Sequence, residues 1–182
     1  MRIIAGSLKG RRLTAPTWAG LRPTSDKLRE TLFNVLGSKL AGARVLDAYA
    51  GTGAVGIEAF SRGASAVTFI ERDSRACALI EENLAHCGIA EGYAIIRAPV
   101  ARGLAALAAG PVIFDVIFLD PPYEASADAD LAAAEVLLAE DGVMVVEHAR
   151  RQTPASPAAG RLHQVRLILS GDSALSFYTI GA

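Results

Sequence analysis

The run Val112-Ile113-Phe114-Asp115-Val116-Ile117-Phe118-Leu119, followed at once by Asp120-Pro121-Pro122-Tyr123, most constrains what this chain can fold into. An apolar, β-favouring stretch of this kind reads as a strand buried on both faces, the habit of a parallel sheet covered by helices. Two prolines stop that strand, because each lacks an N–H and has its φ locked. The turn holds an acid, bare carbonyls and an aromatic ring at the carboxyl edge of the sheet, where open α/β sheets bind ligands. Those groups suit gripping a planar base by its exocyclic amine. The same four residues also occur as an ordinary loop, so the chain before them has to decide.

Upstream, Val45-Leu46-Asp47-Ala48-Tyr49-Ala50-Gly51-Thr52-Gly53-Ala54-Val55-Gly56 reads as strand, glycine-rich loop and helix start. Its glycines fit the dinucleotide pattern G-x-G-x-x-G, which keeps a nicotinamide-dependent oxidoreductase in play. Two details favour S-adenosylmethionine (SAM) instead. Asp47 opens the loop, and an acid there attracts the ammonium and sulfonium of SAM, whereas a nicotinamide loop offers N–H groups to a pyrophosphate. Hydride transfer also gives Asp-Pro-Pro-Tyr nothing to do. The following strand, Ala66-Val67-Thr68-Phe69-Ile70, ends in Glu71, a carboxylate placed to accept from both ribose hydroxyls of either cofactor.

A chain of 182 residues, 52% hydrophobic, is long enough for one core and short for two domains. After Glu71 the expected order is helix (75–86), strand (94–97), short helix (100–107), the strand ending at Asp120, helix (128–138) and strand (143–147). A terminal hairpin (164–169 and 174–180) closes the chain, after a surface loop at 151–160. This alternation predicts a Rossmann-like α/β fold, a mostly parallel seven-stranded sheet with helices on both faces. The start of the chain reaches charge and glycine too soon for a signal peptide, and no stretch is apolar enough to span a membrane, so a cytoplasmic protein is expected. Cys77 and Cys87 have neither metal nor disulfide spacing, and His86, His148 and His163 are scattered; no metal is expected.

Net charge is −1 but unevenly spread. Residues 1–44 carry nine Lys or Arg against Asp26 and Glu30, a balance of +7, and the remainder carries −8. A basic leading segment on an acidic globule suggests a polyanion docked on one side. Gly6-Ser7-Leu8-Lys9-Gly10 reads as a hairpin turn between two short strands, which would present Arg2, Lys9, Arg11 and Arg12 to phosphates. A helix capped by Thr24 or Ser25 should then run to about Leu40, with Lys27 and Arg29 facing nucleic acid or solvent and Arg22 at its mouth.

With these motifs in hand, the chain resembles the RsmD-type small-subunit ribosomal RNA methyltransferases, which modify the N2 amine of guanine 966 in 16S rRNA. The resemblance runs nearly end to end. It is carried by Arg2-Ile3-Ile4-Ala5-Gly6 with Gly10-Arg11-Arg12-Leu13, by Leu21-Arg22-Pro23-Thr24 with Arg29-Glu30-Thr31-Leu32-Phe33-Asn34, by the Leu46–Gly53 loop with Gly56-Ile57-Glu58-Ala59, and by Asp120-Pro121-Pro122-Tyr123 with the tail Gly171-Asp172 and Phe177-Tyr178. It implies a basic RNA-contacting extension (1–40) joined to a SAM-dependent methyltransferase domain (41–182) in one compact, monomeric unit. It further implies a target within the 30S subunit or an assembly intermediate. Asp120, Pro121, Pro122 and Tyr123 would be the catalytic turn, with Tyr123 stacking on the base. Asp47, Ala48, Tyr49, Gly51, Thr52 and Gly53 would hold the methionine part of SAM, Glu71 the ribose, and the backbone of Ala98 the adenine. An adenine-N6 methyltransferase and a non-catalytic RNA-binding protein on the same fold remain alternatives.

Overall fold

The computed structural model describes residues 1–18, 25–122, 127–152 and 160–181. Helices and strands alternate as their apolar periods require: α1 (Asp26–Leu36), β1 (Arg44–Ala48), α2 (Ala54–Ser61), β2 (Ala66–Glu71), α3 (Ser74–His86), β3 (Tyr93–Arg97), α4 (Val100–Ala108), β4 (Phe114–Leu119), α5 (Asp128–Glu135), β5 (Leu138–Ala149), β6 (Leu162–Ser170) and β7 (Ser173–Ile180). The seven strands form one sheet in the order β3-β2-β1-β4-β5-β7-β6. The first five are mutually parallel, and β7 and β6 join as antiparallel strands. The strand order reverses at β1, so the carboxyl ends of β1 and β4 flank the crevice where ligands bind in such sheets.

Period-two alternation divides the core into two layers. Val45, Val67, Phe69, Val116, Phe118, Val143 and Val145 pack with α1, α2 and α3 through residues such as Leu32, Ile57 and Ile80. Leu46, Ile70, Ile117, Leu119, Met144 and Val146 pack with α4 and α5 through Leu104 and Leu131. Helices therefore cover both faces. Each fully buried aliphatic side chain contributes about 1.5–3 kcal/mol.

Element ends differ from the sequence reading where tertiary pairing overrides local preference. The first helix is capped by Ser25, whose side chain accepts from Leu28 N–H, and is α-helical only to Leu36; Gly37–Leu40 tighten into a 3-10 turn. Helix α5 stops at Glu135 rather than Leu138, because Leu138 pairs with Phe114 and starts β5 far ahead of the expected Val143. A bulge between Phe114 and Val116 absorbs the extra residues. The terminal hairpin turns through Gly171 and Asp172 and adds β7, not β6, to the parallel strands. Of the expected loop at 151–160, residues 153–159 lie outside the described set.

The first eighteen residues are a fold element without regular structure. Their expected hairpin is reduced to one antiparallel bridge, Arg2 to Arg12, with Ile3 N–H donating to Arg11 O at 2.9 Å and Gly10 N–H to Ile3 O at 2.9 Å. This arm is fastened to the domain. The buried Glu58 carboxylate on α2 accepts from Ile4 and Ala5 N–H at 2.8 and 3.0 Å and from Arg62 Nε at 2.8 Å. Ser7 N–H donates to Ser61 O at 2.7 Å. Gly6 lies so close to α2 that a Cβ there would sit 1.8 Å from the Ser61 carbonyl oxygen, at a φ of +82° that side chains also disfavour. Ile3 and Leu13 enter the core beside α1 and α2. Among the described residues no helix is long and apolar enough to cross a membrane.

Candidate active site

The carboxyl ends of β1, β2 and β4 open into a cavity of about 610 Å³, a volume in the range of small-molecule and cofactor sites. Asp47, Tyr49, Gly51, Thr52, Glu71 and Ala98 line it together with Asp120, Pro121 and Pro122. The loop residues and the proline turn, separated widely in sequence, thus share one pocket.

Asp47 is almost completely buried and its Oδ2 accepts from Gly56 N–H at 2.9 Å. Helix α2 has Gly53 as its N-cap, with no side chain to satisfy its first N–H groups; Asp47 performs that capping from the end of the neighbouring strand. Gly56 must be small, since a Cβ would meet the Phe69 ring at 2.2 Å. Burial pushes the Asp47 carboxyl up to about 8, against the lowering effect of the Gly56 N–H, and the Glu71 charge adds to the rise. An acid held this way favours a cationic ligand, which would restore its ionised form.

Glu71 is clamped by backbone: Oε2 accepts from Gly51 N–H and Oε1 from Asp73 N–H, both at 2.9 Å. Its carboxylate is therefore fixed between the glycine loop and the start of α3, with lone pairs left for ribose hydroxyls. Tyr49 sits at φ 67°, a left-handed conformation that costs a non-glycine residue about 1–2 kcal/mol. Its hydroxyl donates to Asp130 Oδ2 at 2.6 Å, and burial followed by this carboxylate pushes the phenol's pKa up. The bond ties the loop to the first turn of α5. Ala98 contributes its position at the end of β3, where its N–H donates to Glu71 O at 3.1 Å. The cavity is lined by Asp47, Glu71, Asp73, Asp120, Glu147 and Asp172 against Arg72 and Arg75, a balance that fits the cationic sulfonium nucleoside better than a pyrophosphate.

At the other end, Leu119 of β4 pairs with Val146 of β5, and each is followed in the chain by an acid, Asp120 and Glu147. Both line the cavity, and so do Ser170, Asp172 and Ser173 from the β6–β7 turn. Pro121 is buried and Pro122 exposed, so the turn forms a rigid lip. Tyr123 and Arg22, both predicted site residues, lie outside the described residues.

The basic set divides. Arg2, Lys9, Arg11, Arg12 and Lys27 are exposed; Arg11 also donates to His86 O at 3.1 Å, closing the end of α3. Arg29 is a correction. It is fully buried, pairs with Asp26 at 2.7 Å and donates to Arg2 O at 2.8 Å, so it holds the arm against α1 and has no surface to offer RNA. Helical spacing could have shown this, since Arg29 stands next to Leu28 and one turn before Leu32 and Phe33, on the buried face.

Sequence reasoning missed Trp18, Glu147 and Asn83. Trp18 lines the cavity and stacks on the Arg75 guanidinium, 5.0 Å from ring centroid to Cζ; a lone aromatic in a loop has no period to betray it. Glu147 had a signal, an acid closing an apolar strand next to the one ending in Asp120. Among the described residues no group of three or more His, Cys, Asp or Glu could hold a metal ion.

A family model described as "Conserved hypothetical protein 95" matches residues 1–179. The chain is 35% identical over 171 residues to ribosomal RNA small subunit methyltransferase D of Escherichia coli strain K12, covering 92% of this chain and 84% of the relative. It is 40% identical over 153 residues to the candidate rRNA methyltransferase YlbH of Bacillus subtilis, covering 82% and 83%. The solved structure of the candidate methyltransferase yhhF from Escherichia coli superposes with a TM-score of 0.86 at 33% identity, over 100% of this chain and 98% of that one. At 16% identity, SMU.776, a candidate methyltransferase complexed with SAH, shares the fold alone, with a TM-score of 0.72 over 85% of this chain and 48% of that one. The domain is a class I methyltransferase fold, and the chain belongs to the Conserved hypothetical protein 95 family, the RsmD family of ribosomal RNA small subunit methyltransferases.

Proposed function

We propose that this protein methylates the exocyclic N2 amine of a guanine in 16S rRNA of the small ribosomal subunit, with SAM as donor. The observation that carries the reading is the meeting of Asp120-Pro121-Pro122 with Asp47 and Glu71 in one cavity. When bound, SAM supplies a methyl group made electrophilic by the cationic sulfur. Asp47 and the backbone from Ala48 to Gly53 hold the cationic methionine part, Glu71 the ribose, and the backbone around Ala98 the adenine.

The lone pair of a guanine N2 is delocalised into the ring, so the amine is a weak nucleophile. Asp120 and the Pro121 carbonyl accept its two N–H groups and favour a pyramidal nitrogen whose lone pair is free, an interaction that strengthens as the nitrogen gains positive charge. The rigid proline lip keeps those acceptors fixed, which saves reorganisation during the reaction. Asp120 orients the neutral amine first; the proton leaves only once the nitrogen is cationic and acidic. Tyr123 completes the base site by stacking. The target nucleotide must be unstacked to enter such a pocket.

The exposed Arg2, Lys9, Arg11, Arg12 and Lys27, with Arg22, supply phosphate contacts along the arm and the start of α1. Phosphate contacts position without reading sequence, so an assembled 30S particle, whose proteins fix the RNA loop geometry, is the substrate of a cytoplasmic, monomeric enzyme. Label transfer from methyl-labelled SAM to 30S subunits lacking the modification, and to protein-free 16S rRNA, tests this. Transfer to 30S with little to free rRNA is expected; equal transfer would contradict the particle requirement, and none to either would contradict the activity.

A further inference from the structure

A second basic segment lies outside the arm. Residues 148–171 hold Arg150, Arg151, Arg161 and Arg166 and no Asp or Glu, within the part of the chain that is otherwise acidic. The fold divides these four. Arg161 pairs with Glu140 at 3.1 Å, and Arg166 lies midway along β6, the edge strand. Arg150 and Arg151 are adjacent and exposed, in the turn after β5 that Gln152 N–H closes by donating to Ala149 O at 2.9 Å.

That turn stands at the rim of the cavity. β4 and β5 are parallel neighbours, so the turn after β5 leaves the same edge of the sheet as the Asp120-Pro121-Pro122 turn after β4. Arg150 N–H donates to Asp172 O at 2.8 Å, and Asp172 lines the cavity with Ser170 and Ser173. The backbone of the arginine pair is thus tied to the cavity wall. Asp172 is the one acid of the β6–β7 turn, and two guanidinium groups outweigh it. The arm stands on the other side. It is fastened through Glu58 and Ser61 to α2 and through Asn83 and His86 to α3, the helices that between them pack on β1, β2 and β3. In the strand order β3-β2-β1-β4-β5, the Asp120 turn therefore leaves the sheet between the half that carries the arm and the strand that carries the arginine pair.

Resting on the RNA-methyltransferase reading above, we propose that Arg150 and Arg151 form a second phosphate-contact point, and that the substrate RNA spans the cavity mouth from the arm to this pair with its target nucleotide over the Asp120 turn. Adjacent guanidinium groups suit phosphate, since each offers paired N–H donors in a planar fork. Holding the backbone on both sides of a nucleotide offsets the cost of unstacking it. The contacts position the strand and carry no base code.

Affinity for 30S subunits lacking the modification, measured across a salt series, tests the charge. Replacing both residues, Arg150→Ala with Arg151→Ala, should weaken binding roughly tenfold and flatten the salt slope by about 1.5–2 units, while SAH affinity and the melting temperature hold. Arg150→Lys with Arg151→Lys should keep the slope. Tethered cleavage tests the span. A hydroxyl-radical-generating iron chelate is attached to Arg12→Cys or to Arg151→Cys, with the wild type, whose Cys77 and Cys87 are buried, as background. Cuts in 16S rRNA on opposite sides of the target guanine are expected. An unchanged slope in the Ala pair, a lost slope in the Lys pair, or cuts from position 151 that are absent or on the same side as those from position 12, would overturn the proposal and leave the methyltransferase reading standing. Wild-type protein that binds no 30S subunit would overturn both.

Discussion

The buried Asn83 side chain on α3 donates to the carbonyl of Thr52 at 3.1 Å, in the middle of the glycine loop. The same amide accepts from Thr14 N–H at 2.7 Å and donates to Thr14 O at 3.2 Å. One side chain therefore binds the basic arm and the cofactor loop together. Replacing Asn83 by Asp removes both donations and sets a charge against two carbonyls. The expected loss of stability is about 2–4 kcal/mol in urea unfolding, with weaker binding of both SAH and RNA in the variant that remains folded. Unchanged affinity for either ligand would show that arm and loop are independent.

Asp47 makes cofactor binding depend on pH. Its carboxyl is pushed up to about 8 by burial, well above the value of about 4 in an unfolded chain. The contribution of this group to stability is thus greatest below the unfolded value and declines as pH rises toward 8. A bound cation lowers the pKa, so SAH binding at pH 7 should release a proton and tighten with pH until about 8. Calorimetry in buffers of different ionisation enthalpy measures the proton directly. Asp47→Asn should be no less stable than wild type at pH 8, bind SAH at least about tenfold more weakly, and lose this pH dependence.

Arg12 and Arg29 should respond in opposite ways. Arg12→Ala removes an exposed charge, so folding stability should stay within about 0.5 kcal/mol while RNA affinity falls and the salt slope of binding flattens by about one unit. Arg29→Ala deletes a fully buried guanidinium and its bonds to Asp26 and the Arg2 carbonyl. A loss of about 2–4 kcal/mol is expected, discounted because Asp26 is half exposed. Equal stability of the two variants would contradict the division of the basic set.

Trp18 is the only tryptophan in the chain and lines the cavity in contact with Arg75. Its emission should change when SAH binds, and Trp18→Ala should weaken SAH binding by several-fold, with Trp18→Phe retaining most of it. A titration with calorimetric heat but no fluorescence change would place the ring away from the ligand.

Much of this was legible in the sequence, for identifiable reasons. The buried run ending at Asp120 and the loop from Asp47 to Gly56 are local patterns set by strand burial and turn chemistry, and both appear where their periods require. Glu71 followed because it closes a strand. The residues that knit the structure together were not legible: Glu58, Asn83 and Arg29 act across 25 to 69 positions of sequence or through burial that no local window contains. β5 was read too short because Asp141 and Gly142 interrupt its apolar pattern, while its start is fixed by pairing with Phe114. The role given to Arg29 failed because charge alone was weighed against the apolar face it shares.

The central claim is that the Asp120-Pro121-Pro122 turn activates a guanine amine beside a bound sulfonium nucleoside. Its most direct test is nucleoside analysis of unmodified 30S subunits treated with wild-type protein or Asp120→Ala in the presence of SAM. N2-methylguanosine from the wild type, with at least about a hundredfold less from an Asp120→Ala protein that still binds SAH and RNA, is the predicted result. N6-methyladenosine, another modified nucleoside, or equal product from the variant would contradict it.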